Sequence, residues 1–154
     1  MRVHGRVRVS KETVLQNGTV IGHRGMSFVR NCFGEIMLNE QSHGVFIDDG
    51  VEIGANCTIH RGGWRDTVIH AGCVLGSQVN IGHNVILHEN VVVAPMTTIA
   101  GSVEVGEGAT IWQGVSIASR LKIGKGAVIG MGAVVLEDVP AGETWAGNPA
   151  RRIK

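Results

Sequence analysis

The 154-residue chain predicts an all-β fold, a parallel β-helix of six-residue repeats, and three observations carry that expectation. Branched aliphatic residues recur at every sixth position, from Ile69 through Leu75, Ile81, Leu87, Val93, Ile99, Val105, Ile111, Ile117, Ile123 and Ile129 to Val135. Four residues after each comes a small or branched one, in the series Cys73, Val79, Val85, Val91, Thr97, Val103, Ala109, Val115, Leu121, Ala127 and Ala133. Aromatic residues make up only 4% of the chain, which suits a core built as an aliphatic stack rather than around large rings. A period of six is too long for strand alternation and wrong for a helix. It fits a coil in which each hexad is one short flat strand plus a turn and three hexads close one triangular circuit.

The elements follow in order. Val3, Val9, Leu15 and Ile21 open the series in phase. From about Gly22 to Val45 the phase is lost, in a stretch holding Gly25, Met26, Phe28, Phe33 and Gly34. That stretch is too long for a corner and is expected to leave the coil as a loop, and loops of this length in compact domains tend to be functional. Ile47, Ile53 and Ile59 resume the pattern. A four-residue insertion at Gly62, Gly63, Trp64 and Arg65 then delays the next inward residue from position 65 to Ile69, which predicts a small bulge beside the coil. After Val135 the hexads stop. Pro140-Ala141-Gly142 makes a turn and Gly147-Asn148-Pro149-Ala150-Arg151 a polar tail, so residues 138–154 are expected to cap the coil, as the end of any solenoid must be covered. Nineteen hexads make about six coils, in one domain spanning residues 1–154.

Composition narrows the function by exclusion. With 14 basic and 13 acidic residues the charge is nearly balanced, which gives no reason to expect nucleic acid or a membrane surface as partner. An apolar run long enough to span a bilayer and a signal-peptide layout are both missing, so a cytoplasmic location is expected. Cys32, Cys57 and Cys73 lack the spacing of a disulfide or zinc framework. Cys57 and Cys73 fall on the small inward position, where a thiol fills space as a modest hydrophobe, and Cys32 reads as an ordinary loop thiol.

Position on the coil separates the seven histidines. His83 lies two residues after Ile81, at a corner where its side chain points outward, and Gly101, eighteen residues on, falls beside it one coil further along. A glycine there lets a ligand approach the main chain and leaves an N–H to face a developing oxyanion. An imidazole beside such a donor is the minimum apparatus for acyl transfer to an amine or hydroxyl, without a nucleophilic serine or cysteine. A solvated surface imidazole is the plainer alternative. Asn84 or a main-chain carbonyl is the nearest group that could orient the ring. His60, His70 and His88 each follow an inward residue, and His70 and His88 are eighteen apart, so they stack on one face. Histidines so arranged raise the question of a metal, with His60, His83 and His88 gathered from two chains as an open zinc site, although repetition alone also stacks side chains. His4, His23 and His43 have no partner legible in the sequence.

At these residues a family resemblance enters. The segment VEIGANCTIHRGGWRDTVIHAGCVLGSQVNIGHNV, residues 51–85, resembles the core of the UDP-3-O-acylglucosamine N-acyltransferases of lipid A synthesis, through the bulge and into IGHNV. With IGHRGMSFV it covers roughly residues 20–125. The resemblance implies a left-handed β-helix and a homotrimer with active sites between adjacent chains. It also implies His83 as general base and Gly101 as the oxyanion donor, with His60, Trp64 and Asn84 on the acceptor side.

Departures are as telling. Hexads begin at Val3, so the family's N-terminal uridine-binding domain is expected to be missing. A second family histidine is Arg120 here, the aspartate of the family's TIDRG is His60, and the acid seven residues before the base is Gly76. The tail PAGETWAGNPARRI is similar to the wider hexapeptide acetyltransferases that use coenzyme A. That similarity implies a donor site at Ala100, Ala118, Ser119, Gly147, Asn148, Pro149 and Arg151, with Arg120, Lys122 and Lys125 available for phosphates. The expected donor is an acyl-CoA as co-substrate rather than an acyl carrier protein, with no permanently bound cofactor or metal.

The reading that results is a homotrimeric acyl-CoA-dependent N-acyltransferase acting on a small-molecule amine, of an amino sugar or nucleotide sugar. Trp64 and the long loop would shape the acceptor pocket, and Trp112 and Trp145 would serve as flat platforms for the donor or for trimer contacts. The alternative is a zinc enzyme, since IGHNVILHEN with His60 upstream also resembles the γ-class carbonic anhydrases. Against it, Gly54 and Ala55 replace the expected Gln and Asp, and the RxD signature is missing. A non-catalytic trimeric scaffold is the third class.

Overall fold

The computed structural model describes residues 2–154. Each circuit contributes one short strand, mostly of two residues, to each of three sheets, which contain seven, six and eight strands. Pairing within them is parallel except for Arg151–Arg152, which returns antiparallel to Thr144–Ala146. The chain is therefore the expected left-handed parallel β-helix. Equivalent hexad positions stack along the axis: Ile59 on Ile81 on Ile99, Ile69 on Leu87 on Val105, Leu75 on Val93 on Ile111. These side chains are fully or almost fully buried. Each contributes about 1.5–3 kcal/mol relative to exposure.

Corners are closed by a left-handed residue three positions after the inward aliphatic. Gly108 is a representative case, with φ of +67° and a turn bond from the Ala109 N–H to the Gly106 carbonyl of 3.2 Å. This is the third position of a type II turn, which favours Gly and tolerates Asn; Asn56, Asn84 and Asn90 occupy it on other turns. The threonines buried inside the coil are satisfied. Thr97 Oγ1 donates to the Trp112 carbonyl at 3.0 Å and Thr19 Oγ1 to the Gly54 carbonyl at 2.8 Å.

The structure corrects the sequence reading in three places. Against the six coils expected, one face is seven strands deep within the hexad series itself. Another reaches eight because the tail extends it, Trp145 pairing with Ile129 and Arg151–Arg152 adding an antiparallel strand, while Val139 bridges to Ile123 on the six-stranded face. Trp145 is consequently buried as the lid of the aliphatic stack and is not a flat platform; Trp112 remains exposed. The phase break at 22–45 is an arm with secondary structure of its own, an antiparallel hairpin of Phe28–Arg30 with Ile36–Leu38. The insertion at 62–65 does form a bulge beside the coil, with Ile69 recovering the register against Ile47. Among the described residues no helix is long and apolar enough to cross a membrane.

Cys57 and Cys73 are buried and Cys32 is exposed. Burial pushes the Cys73 thiol up to about 11. In the native protein, alkylation is expected at Cys32 alone, with Cys57 and Cys73 reacting only after denaturation; mass-spectrometric mapping checks this. Ile111→Ala, which opens a cavity midway along the stack, is expected to lower the unfolding free energy by about 2–5 kcal/mol in a denaturant titration.

Candidate active site

His83 and Asn84 form the corner after the strand Asn80–Ile81, and the next turn places Gly101 and Ser102 directly alongside. A Cβ built at Gly101 would lie 2.5 Å from His83 Nε2 and 2.6 Å from its Cε1, so the ring occupies space that glycine alone leaves free. On the other side, Gly25 packs over the rings, its notional Cβ 3.2 Å from His83 Cδ2 and 3.3 Å from His60 Cβ. Thus the imidazole is held between two glycines, one from the next turn and one from the arm.

Gln41 fixes the arm there. Its amide is 4% exposed; Oε1 accepts the Gly25 N–H at 2.7 Å and Nε2 donates to the Gly25 carbonyl at 3.2 Å. The bulge is held just as firmly through Asn84. Asn84 Oδ1 accepts the Gly63 and Trp64 N–H groups at 2.6 and 3.3 Å, and the Asn84 carbonyl accepts from Arg65 Nε at 3.0 Å. The Asn84 N–H donates to Thr67 Oγ1 at 2.9 Å. Asn84 Nδ2 lies 2.8 Å from His83 Nδ1. Of the two orienting groups expected for His83, the asparagine is thus in contact.

A cleft of about 940 Å³ opens between arm, bulge and corner. His83 and Gly101 line it beside Trp64, which is 64% exposed. Arg65 stacks on Trp64, with its guanidinium carbon 4.7 Å from the ring centroid. Arg120 and Lys122 bring two more cations to the same wall. Burial, first, and then charge repulsion from His60 and Arg120 hold the His83 pKa below its ordinary value, while the Met26 main chain pushes part of the way back. The ring is accordingly neutral near pH 7.

Of the residues singled out from the sequence, the cleft brings together His83, Asn84, Gly101, Trp64, Ser119, Arg120 and Lys122. His60 lies beneath Gly25, its Nε2 3.0 Å from Asn80 Oδ1. Ala100, Ala118, Lys125, Gly147, Asn148, Pro149 and Arg151 are outside the cleft lining; Lys125 pairs with Glu107 at 2.6 Å and Arg151 with Glu137 at 2.8 Å. His70 and His88 do stack, with centroids 5.6 Å apart and planes 13° from parallel. However, His88 Nε2 meets Glu104 Oε1 at 2.9 Å, on a different sheet from His60, and among the described residues no three His, Cys, Asp or Glu gather to hold a metal. Ser102 was legible by counting eighteen residues on from Asn84. Gln41 carried no sequence signal beyond its place in the loop.

Gln41→Leu removes the acceptor of a buried N–H, a loss of about 1–3 kcal/mol. Amide exchange at Gly25 and Met26 is therefore expected to accelerate roughly ten- to a hundredfold, with the strands of the coil unchanged, as read by hydrogen–deuterium exchange.

The bacterial transferase hexapeptide model, six repeats long, matches residues 66–101 and again 102–137. A UDP-3-O-acylglucosamine N-acyltransferase from Hahella chejuensis is 45% identical over 82 residues, 53% of this chain and 23% of the relative. One from Methylorubrum populi is 34% identical over 146 residues, 95% of this chain and 41% of the relative. The chain thus spans well under half the length of these relatives. In structure it is similar to the UDP-N-acetylglucosamine O-acyltransferase of Moraxella catarrhalis, with TM-score 0.86, 21% identity and coverage of 95% of this chain and 55% of that one. It is also similar to the acetyltransferase domain of PglB from Neisseria gonorrhoeae in complex with acetyl coenzyme A, with TM-score 0.55, 20% identity and coverage of 96% and 57%. These two likenesses concern the fold. The chain is a left-handed β-helix carrying bacterial transferase hexapeptide repeats and is related in sequence, over the part it spans, to the UDP-3-O-acylglucosamine N-acyltransferases.

Proposed function

We propose that the chain is an acyl-CoA-dependent N-acyltransferase that moves an acetyl or short acyl group to the amine of an amino sugar or nucleotide sugar, working as a cytoplasmic homotrimer. The observation that carries this reading is the contact of the His83 ring with Gly101 at the edge of a cleft large enough for a sugar and the end of a thioester. The amine nitrogen attacks the thioester carbonyl carbon, forming the C–N bond. His83 takes the proton released from the nitrogen, and the Gly101 N–H stabilises the oxyanion of the tetrahedral intermediate. The C–S bond then breaks, and the leaving thiolate takes the proton from the imidazolium.

Support comes from several directions. The relatives are named as N-acyltransferases of a UDP-linked acylglucosamine, and a protein of the same fold holds acetyl coenzyme A. Arg65, Arg120 and Lys122 outnumber Glu40 and Glu104 in the cleft lining, which suits phosphate oxygens. The apolar residues exposed on the arm, among them Phe28, Phe33 and Ile36, suit burial against a second copy. Trp64, as an exposed flat ring, suits the apolar face of a sugar. The zinc-hydratase alternative gains no observation from either the side-chain geometry or the comparisons.

His83→Ala is expected to lower kcat/KM for acetyl-CoA-dependent acylation, screened across amino sugars, by about a hundredfold or more while coenzyme A binding and assembly persist. Unchanged turnover would remove His83 from the mechanism, and stoichiometric zinc without coenzyme A binding would favour the hydratase. Only the neutral ring accepts a proton, so turnover falls as pH drops through the His83 pKa. Since that pKa is lowered, the acid limb of the pH profile should lie below the ordinary imidazole value.

A further inference from the structure

Asn84 is the most completely bonded polar side chain in the cleft wall, and it is 1% exposed. Its Oδ1 accepts the Gly63 N–H at 2.6 Å and the Trp64 N–H at 3.3 Å. Main-chain N–H groups only donate, so the oxygen must face them; the opposite amide rotation would set an NH2 against two donors in a buried site. The Nδ2 group therefore points the other way, to His83 Nδ1 at 2.8 Å and Ser102 Oγ at 3.3 Å. An amide NH2 can only donate. His83 Nδ1 is then the acceptor, and a neutral ring carries its single proton on Nε2.

We propose that Asn84 is a positioning residue that sets the tautomer of His83, so that in the unliganded protein the neutral ring presents an Nε2–H toward Gly101 and turns its lone pair into the wall. Two carboxylates, Glu40 and Glu104, line the same cleft, but Glu104 is bonded to His88 at 2.9 Å, and among the described residues the hydrogen-bond partner on His83 Nδ1 is the Asn84 amide. His60 lies under Gly25, Arg120 reaches in as a cation, and the arm contributes the Met26 main chain. The position seven residues before the base is Gly76.

The consequence bears on the acyl-transfer reading, on which only this last step rests. With the proton on Nε2 the ring can donate a hydrogen bond to an incoming oxygen but cannot accept a proton there. For His83 to act as base at Nε2, that proton must leave and Nδ1 must gain one. An Nδ1–H would meet the Asn84 NH2, and turning that amide to offer Oδ1 instead would take the oxygen away from Gly63 and Trp64. Base strength at His83 is in this way tied to the bulge that lines the cleft.

The test is 15N NMR of the full chain labelled at histidine, recorded above the His83 titration, with the ring assigned by its absence in His83→Ala. Wild-type protein is expected to show a protonated Nε2 and a bare Nδ1; a protonated Nδ1 overturns the proposal, whatever the protein's activity. Asn84→Asp keeps one oxygen for the Gly63 and Trp64 N–H groups, tolerates the φ of +61°, and offers Nδ1 a second oxygen in place of an NH2. In that variant the proton is expected to move to Nδ1 and the ring pKa to rise by about 1 pH unit or more. The same protonated nitrogen in both proteins also overturns the proposal. If the chain transfers acyl groups, Asn84→Asp should raise turnover severalfold above the new pKa and carry the acid limb upward. A spectroscopic switch with unchanged turnover upholds the tautomer assignment and removes the base role instead. Should the variant not fold, the wild-type spectrum decides alone.

Discussion

The stacking of each inward aliphatic residue on its equivalent one circuit away is the constraint from which the rest of the molecule follows. A slip of one residue would turn the whole buried ladder outward, so the core holds the register of every turn, corners included. Corner residues are consequently brought together by the packing of Ile59, Ile81 and Ile99 rather than by any attraction of their own. His83 meets Gly101 for this reason, as Asn84 meets Ser102 and His70 meets His88. The coil supplies an accurate lattice of side-chain positions, and chemistry arises where the occupants of adjacent lattice points are compatible.

Material added at the two phase breaks converts one corner into a cleft. Arm and bulge leave the coil at different turns, yet both end against His83 and Asn84: Gly25 over the ring, Gly63 and Trp64 on the amide. Two buried amide side chains, Gln41 and Asn84, make these attachments. Each satisfies main-chain groups that a loop over a coil would otherwise leave unpaired. The added segments are therefore anchored by hydrogen bonds and leave their large apolar side chains, Met26, Phe28 and Trp64, free to line the opening.

Most of the fold was legible because hexads announce themselves in one dimension. The eighteen-residue circuit also exposed the pairs His83 with Gly101 and His70 with His88 before any coordinates. What escaped was whatever does not repeat. The arm pairs with itself, so Phe28–Arg30 and Ile36–Leu38 follow a hairpin rule that the surrounding period obscures. Trp145 was misjudged because an aromatic ring in the tail suggests a platform, whereas the top of an aliphatic stack needs a large apolar cover, and the tail folds back to provide it. Gln41 was invisible because its partner, Gly25, is related to it by loop closure alone.

The cleft cations and the state of His83 are linked. Arg120 both faces the opening and repels a proton from the ring. An anionic group bound at Arg120 would offset that repulsion, so it must make the ring easier to protonate, and by reciprocity the protonated ring must bind the anion more tightly. A donor carrying phosphates would thus arrive at a neutral imidazole and leave it more basic than it found it. In the proposed reaction the proton comes from the acceptor amine, so this coupling would raise the proton affinity of His83 when the donor is in place and before the amine attacks.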